Sequence, residues 1–213
     1  MHIYIFGSIC RGEIDANSDI DMLALVNGYD NRFDPNDFSI YNYERINQLW
    51  SEGNPFSWHL FLESKLVYSD NNMNYLKALG APSKYNNGIS DCMKFRDIFE
   101  SACNSLTESN HAEVFDFSSI FLSIRNFATC FSLTLNEKPD FSRNSALNLG
   151  SYSLKMDEET YKLLERCRVL CVRGKGNIPS HSELRKIMNS TGIIKEWMGK
   201  LLEEIKLFSY ERV

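Results

Sequence analysis

Two short apolar runs, Ile3 to Phe6 and Ile20 to Val26, flank the turn Phe6-Gly7-Ser8-Ile9-Cys10-Arg11-Gly12 and the acidic motif Ser18-Asp19-Ile20-Asp21. No other stretch constrains the fold as much. Both runs are rich in Ile, Leu, Val or aromatic residues, and short runs of that kind read as buried strands. Side chains alternate along a strand, so Asp19 and Asp21 are expected on one face, roughly 6 to 7 Å apart. Two carboxylates at that spacing can reach one hard cation, or a pair of cations about 3.5 to 4 Å apart.

The glycine turn adds a place for phosphate. Gly7 ends a strand where a side chain would block a ligand, and Gly12 frees the backbone again. Between them, Ser8 to Arg11 are predicted to form a helical turn whose leading N–H groups and positive end favour phosphate oxygens. Ser8 offers a hydroxyl, and Arg11 a guanidinium suited to bidentate phosphate contact. Gly-Ser and Asp-x-Asp are each common, but their joint occurrence between strands is specific. Together they predict a site for a nucleoside triphosphate.

Gly7-Ser8, Arg11-Gly12 and Ser18-Asp19-Ile20-Asp21 resemble the signature of the DNA polymerase β-type nucleotidyltransferases, in particular the minimal nucleotidyltransferases and the aminoglycoside adenylyltransferases. The motif covers about residues 3 to 26, and the likeness extends loosely to about residue 70. It implies a small α/β domain with a mixed sheet and one or two Mg²⁺ ions on Asp19 and Asp21. It also implies a triphosphate held by Gly7, Ser8, Arg11 and Ser18. The implied reaction moves a nucleoside monophosphate from a nucleoside triphosphate, ATP being the expected donor, to an acceptor hydroxyl. That acceptor is a small molecule, a protein hydroxyl or an RNA end.

The family usually has a helix before its first strand, whereas this chain begins almost on the strand; that helix is either dispensable here or missing from the chain. The family also places a third carboxylate on a neighbouring strand, as metal ligand or general base. Phe56 to Glu63 is expected to be that strand, with His59 near its centre and Glu63 on the same face roughly 13 Å further along. His59 suits a base better than a magnesium ligand, because imidazole accepts protons near neutral pH and Mg²⁺ prefers oxygen. Either residue can complete the site.

Composition narrows the alternatives. A chain of 213 residues can bury a sizeable core as one large domain or two small ones. Its net charge of −5 gives no global attraction to nucleic acid or an anionic membrane. No apolar run is long enough to span a bilayer, and no basic segment plus apolar stretch opens the chain, so a cytoplasmic protein without a membrane partner is expected. Six cysteines, at 10, 92, 103, 130, 167 and 171, show no zinc spacing and are expected to be reduced thiols, Cys167 and Cys171 on a buried stripe. His2, His111 and His181 read as surface residues.

Along the chain, Asn27 to Asp37 reads as a polar loop and Asp37 to Trp50 as a helix closed by Glu52-Gly53-Asn54-Pro55. The 56–63 strand follows, then the apolar Leu66-Val67-Tyr68 and a short helix from Asn72 to Leu79. Residues 1–82 are thus expected to form the nucleotide-binding domain. Within residues 88–213, the stretches 90–106, 115–135, 158–172 and 180–207 carry helical spacing, the last opened by a Ser180/Glu183 capping box and open to a break or a kink at Thr191-Gly192. The predicted class is α+β, a small mixed sheet followed by an antiparallel helical bundle, with the bundle as the face for a homodimer.

The bundle carries a second resemblance. Phe117 to Leu133 is similar to a helix of HEPN-type domains, whose catalytic members pair Arg with a His four to six residues later as a ribonuclease. Here Arg125 is followed by Cys130 where that His would stand, which argues against ribonuclease chemistry. Arg125 and Asn126 are expected to bridge helices or to face the nucleotide cleft. Arg166, Arg168, Arg173 and Lys175 read as a helix C-terminus or an anion contact. The competing function is a degenerate nucleotidyltransferase that binds a nucleotide or neutralises a partner, as antitoxin-like members do.

Overall fold

The computed structural model describes residues 1–13, 20–108, 112–135 and 139–210. They fall into two compact units, Met1–Asn86 and Asn87–Val213. The first is built on β1 (His2–Phe6), α1 (Ser8–Arg11), β2 (Asp21–Val26), β3 (Phe38–Asn42), α2 (Tyr43–Glu52), α3 (Pro55–Glu63), β4 (Ser64–Ser69) and α4 (Tyr75–Leu79). Its sheet has the order β3-β2-β1-β4, with β1 antiparallel to both β2 and β4, and β2 parallel to β3. The small mixed sheet expected from the sequence is present.

Alternation decides which side of the sheet each residue joins. Tyr4, Phe6, Leu23 and Leu25 point to one face, where Ile46, Leu49 and Trp50 of α2, Leu60 of α3 and Leu76 of α4 cover them. Ala24 and Val26 point to the other, thinner face, packed with Phe33 and the partly buried Met1, Ile3 and Phe38. Burying such a sheet face contributes about 25 cal/mol for each Å² of apolar surface removed from water, which makes the helical side the stronger anchor.

Two expectations fail here, each for a local reason. Residues 37–50 are not one helix: Phe38–Asn42 form β3, and α2 starts only at Tyr43. The buried stripe Ile46-Leu49-Trp50 has helical spacing, whereas the preceding Phe-Ser-Ile-Tyr stretch favours a pleated surface. Asn42 sets the boundary, its side chain accepting the N–H of Arg45 at 2.7 Å.

The second failure is the strand at 56–63, which is helix α3. Its residues are β-prone one by one, but Asn54 caps the N–H of Phe56 at 2.9 Å and Pro55 occupies the first turn. Those two start signals outweigh the aromatic run. Gly53 makes the preceding corner possible, with φ +62 and a position where an added Cβ would lie 2.3 Å from the Ser83 carbonyl oxygen. The strand that pairs with β1 is instead the following segment, β4.

The second unit is helical: α5 (Gly88–Glu108), α6 (Glu113–Thr134), α7 (Glu158–Arg173) and α8 (His181–Tyr210), with a 3-10 turn at Gly150–Tyr152. Helix α6 packs on α5, α7 and α8, and fourteen of its residues are buried, which explains its weakly amphipathic sequence. The capping box forms as expected: the Ser180 N–H donates to Glu183 Oε2 at 2.7 Å, and the Glu183 N–H to the Ser180 hydroxyl at 3.4 Å. No kink divides α8, which runs through Thr191-Gly192 as one helix. Of the histidines, His2 is buried rather than exposed, its Nδ1 2.7 Å from the Tyr43 hydroxyl; His181 is exposed and His111 lies outside the described residues. Cys167 is buried but Cys171 is exposed, so the two do not share a buried stripe. No helix among the described residues is long and apolar enough to cross a membrane.

Candidate active site

One end of the sheet collects most of the residues singled out above. There β1 finishes, while β2, β3 and β4 begin. Phe6 pairs with Asp21 on one side and with Ser64 on the other. Gly7 follows with φ +75 and ψ −142, a backbone that L side chains rarely adopt. The chain then turns through α1 and leaves at Gly12, again left-handed at φ +78. The Gly7 carbonyl accepts the N–H of Cys10 at 3.0 Å, and the Ser8 carbonyl that of Glu13 at 3.0 Å, so the turn is closed on itself.

Gly7 and Asp21 are in close approach. A Cβ added to Gly7 would lie 2.6 Å from Asp21 Oδ2, inside any tolerable contact. The carboxylate therefore occupies the space that the missing side chain leaves. Asp21 is exposed and shares the parity of Leu23 and Leu25, which places it at the rim of the helix-covered face.

A further acid stands beside it. Strands β2 and β3 run parallel with Met22 opposite Phe38, so one step before that pair stand Asp21, the first residue of β2, and Asp37, which directly precedes β3. Neighbouring strands lie about 4.8 Å apart, and laterally adjacent side chains share a face. Asp37 is exposed, and among the described residues its carboxylate has no hydrogen-bond or ion-pair partner. Its backbone is fixed by a turn in which the N–H groups of Asp37 and Phe38 donate to the Asp34 carbonyl at 3.0 and 2.9 Å. Sequence reasoning placed Asp37 at a helix start and missed this. The available signal was that Asp21 and Asp37 each stand directly before a short β-forming run.

His59 and Glu63 lie on a helix rather than a strand, one turn apart instead of roughly 13 Å. His59 Nε2 is 3.0 Å from Glu63 Oε2, and its ring meets Phe6 edge-on with centroids 5.5 Å apart. Glu63 also pairs with Arg11 Nη1, and Glu13 accepts Arg11 Nε at 2.8 Å. Burial alone would lower the pKa of Arg11, but the Glu13 and Glu63 carboxylates outweigh it and raise the pKa above the ordinary arginine value. Cys10 sits in the same turn, its Sγ 3.4 Å from the Ile5 carbonyl oxygen, and burial pushes its thiol up. It is poorly suited to act as a thiolate nucleophile.

The structure thus brings together Gly7, Ser8, Arg11 and Asp21, with Arg11 joined to Glu63, which in turn lies beside His59. Ser18 and Asp19 lie outside the described residues. Among the described residues no group of three His, Cys, Asp or Glu side chains is gathered for a metal ion. The donors at hand, Asp21 and Asp37, are carboxylate oxygens, the chemistry that Mg²⁺ prefers.

The features of the second unit serve packing. Arg125 Nη2 donates to the Phe141 carbonyl at 2.8 Å and Nε to that of Ser142 at 3.3 Å, while Ser145 Oγ donates to the Arg125 carbonyl at 3.1 Å. It fastens α6 to the 140–145 segment. Cys130 is 3 % exposed, far from the requirements of an acid–base group. Arg166 is paired with Glu183 at 2.8 Å, and Arg168 reaches Ser118 Oγ at 3.3 Å, which leaves the basic run partly spent on helix packing.

Comparison with known proteins agrees with this geometry over the first unit. Residues 2–79 match the family model described as the nucleotidyltransferase domain. No curated protein matches the chain. The match starts at β1 and ends with α4, spanning every strand of the sheet and all the elements around the candidate site. Over residues 2–79 the chain is thus similar to the nucleotidyltransferase domain family.

Proposed function

We propose that the chain is a magnesium-dependent nucleotidyltransferase. It transfers a nucleoside monophosphate from a triphosphate, with ATP as the first donor to test, to an acceptor hydroxyl, and it releases pyrophosphate. The observation that carries this is the fit of Gly7 to Asp21, an acid seated where a glycine turn has no Cβ, with Asp37 directly before the neighbouring strand β3.

Asp19, Asp21 and Asp37 would hold one or two Mg²⁺ ions. When bound, Mg²⁺ neutralises the triphosphate and stabilises charge at the reacting phosphorus. Ser8 offers its hydroxyl, and the turn after Gly7 its leading N–H groups, to the β and γ phosphates. Of the α3 pair, His59 is the favoured proton acceptor, because an imidazole takes a proton readily near neutral pH. The acceptor is a small molecule, a protein hydroxyl or an RNA end.

The test is magnesium-dependent pyrophosphate release with each nucleoside triphosphate, in the wild type and in Asp21→Asn. Loss of about 10³-fold in the variant, with an unchanged fold, is expected. Normal turnover in Asp21→Asn would remove the assignment.

A second reading is favoured by one observation, that the only acid on α3 serves Arg11 rather than an open site. In that reading the domain is degenerate and binds a nucleotide or a partner protein without chemistry. Nucleotide binding without pyrophosphate release under any acceptor condition would select it.

A further inference from the structure

Arg11 stands three residues after Ser8, yet its guanidinium is held by protein carboxylates. Nε donates to Glu13 and Nη1 to Glu63, and the Arg11 and Glu63 side chains are only 19 % and 13 % exposed. Two of the three guanidinium nitrogens are thus taken by carboxylates, and a guanidinium presents the same kind of fork to carboxylate and phosphate. Resting on the triphosphate reading above, we propose that Glu63 competes with the nucleotide for Arg11, so that Arg11 exchanges a carboxylate for a phosphate when the site fills.

Three features support an exchange over a fixed clamp. Glu63 has a second polar group within reach when Arg11 leaves, since His59 Nε2 lies 3.0 Å away on the same helix. A buried carboxylate with no polar group in reach would make the departure prohibitive, and here the His59 imidazole is near enough to turn to it. Glu13, the other partner, is 54 % exposed, so its contact with Arg11 is screened by water and weak. Finally, Arg11 closes the short turn that carries Ser8, so a movement of its side chain needs no movement of the sheet.

The consequence is a penalty on affinity. If the binding-competent arrangement is a minor one, the apparent dissociation constant rises by the inverse of its population. Removing the competitor should therefore tighten binding. A pair that merely fastens α1 to α3 predicts the opposite, because breaking it would loosen the turn and weaken binding.

The experiment is calorimetric titration of the full chain with Mg-ATP, together with melting temperatures taken without nucleotide. The proteins are wild type, Glu63→Gln, Arg11→Gln and the double variant. Glu63→Gln should melt lower without nucleotide yet bind about tenfold tighter. Arg11→Gln should bind more weakly, and in the double variant the gain should vanish, since it runs through Arg11. Equal or weaker binding by Glu63→Gln, or a gain that persists without Arg11, overturns the exchange while leaving the nucleotide site standing. If neither wild type nor any variant binds a nucleoside triphosphate, the site itself is wrong and the exchange falls with it.

Discussion

The two units use polar residues in opposite ways. At the end of the sheet, Asp21 and Asp37 are exposed at the rim of an apolar face, and Gly7 gives up its side chain to let one of them in. In the helical unit the polar groups are turned inward and spent. Arg125 donates to two carbonyls, the Tyr161 hydroxyl to the Arg143 carbonyl at 2.7 Å, and Thr129 Oγ1 to the Asp140 carbonyl at 2.9 Å. Buried polar groups need partners, and a long helix covered on several sides can meet that need only from neighbouring loops. The contrast teaches that a polar residue interrupting an apolar run signals function in one place and scaffolding in the other. Its partners decide which.

Substitutions can break this contrast. Among substitutions that leave the carboxylates in place, Gly7→Ala should have the largest effect on activity. The added methyl meets Asp21 Oδ2 and the backbone is left-handed, so pyrophosphate release should fall by about 10²-fold or more. The strained backbone alone should cost about 1–2 kcal/mol in chemical denaturation. Arg125→Ala should show the reverse pattern. It strands the carbonyls of Phe141 and Ser142, with a loss of about 2–3 kcal/mol in stability, while nucleotide binding by the first unit stays within twofold of wild type.

The smallest effect belongs to Glu183, whose pKa is lowered to about 2 chiefly by its hydrogen bond to Arg166 and then by the Ser180 N–H. A lowered carboxylate pKa gives stability that is complete above its usual value near 4.5 and lost as pH falls toward about 2. Glu183→Gln should therefore lower the melting temperature modestly at pH 7, and the difference from wild type should close between about pH 4.5 and 2. A gap that stayed constant across that range would show that the α8 capping box does not depend on charge.

Much of the fold was legible in the sequence, and the exceptions share a cause. The four long helices stand where the apolar spacing placed them, because each buries a stripe that periodicity records. Residues 38–63 misled because composition and position disagree there. Phe38–Asn42 is strand-prone but abuts a helical stripe, and Pro55–Glu63 is strand-prone but carries helix start signals. Within the site, Gly7, Ser8, Arg11 and Asp21 could be read from their local pattern. Asp37 could not, because its role comes from strand pairing across a polar loop. The Arg11–Glu63 pair joins residues 52 positions apart, and no local pattern records such a contact.

The glycine corner at Gly53 reaches beyond its own turn. The backbone of Ser83 and Lys84 lies where a side chain at Gly53 would be, the Ser83 N–H donates to the Trp50 carbonyl, and the indoles of Trp50 and Trp58 donate to the carbonyls of Gly80 and Ser83. The stretch after α4 is thus a strap bolted to the α2–α3 elbow. A fragment trimmed at residue 79, where the family match stops, would leave both indole N–H groups without those acceptors and unroof the elbow. An expression boundary that respects the physics falls after residue 86.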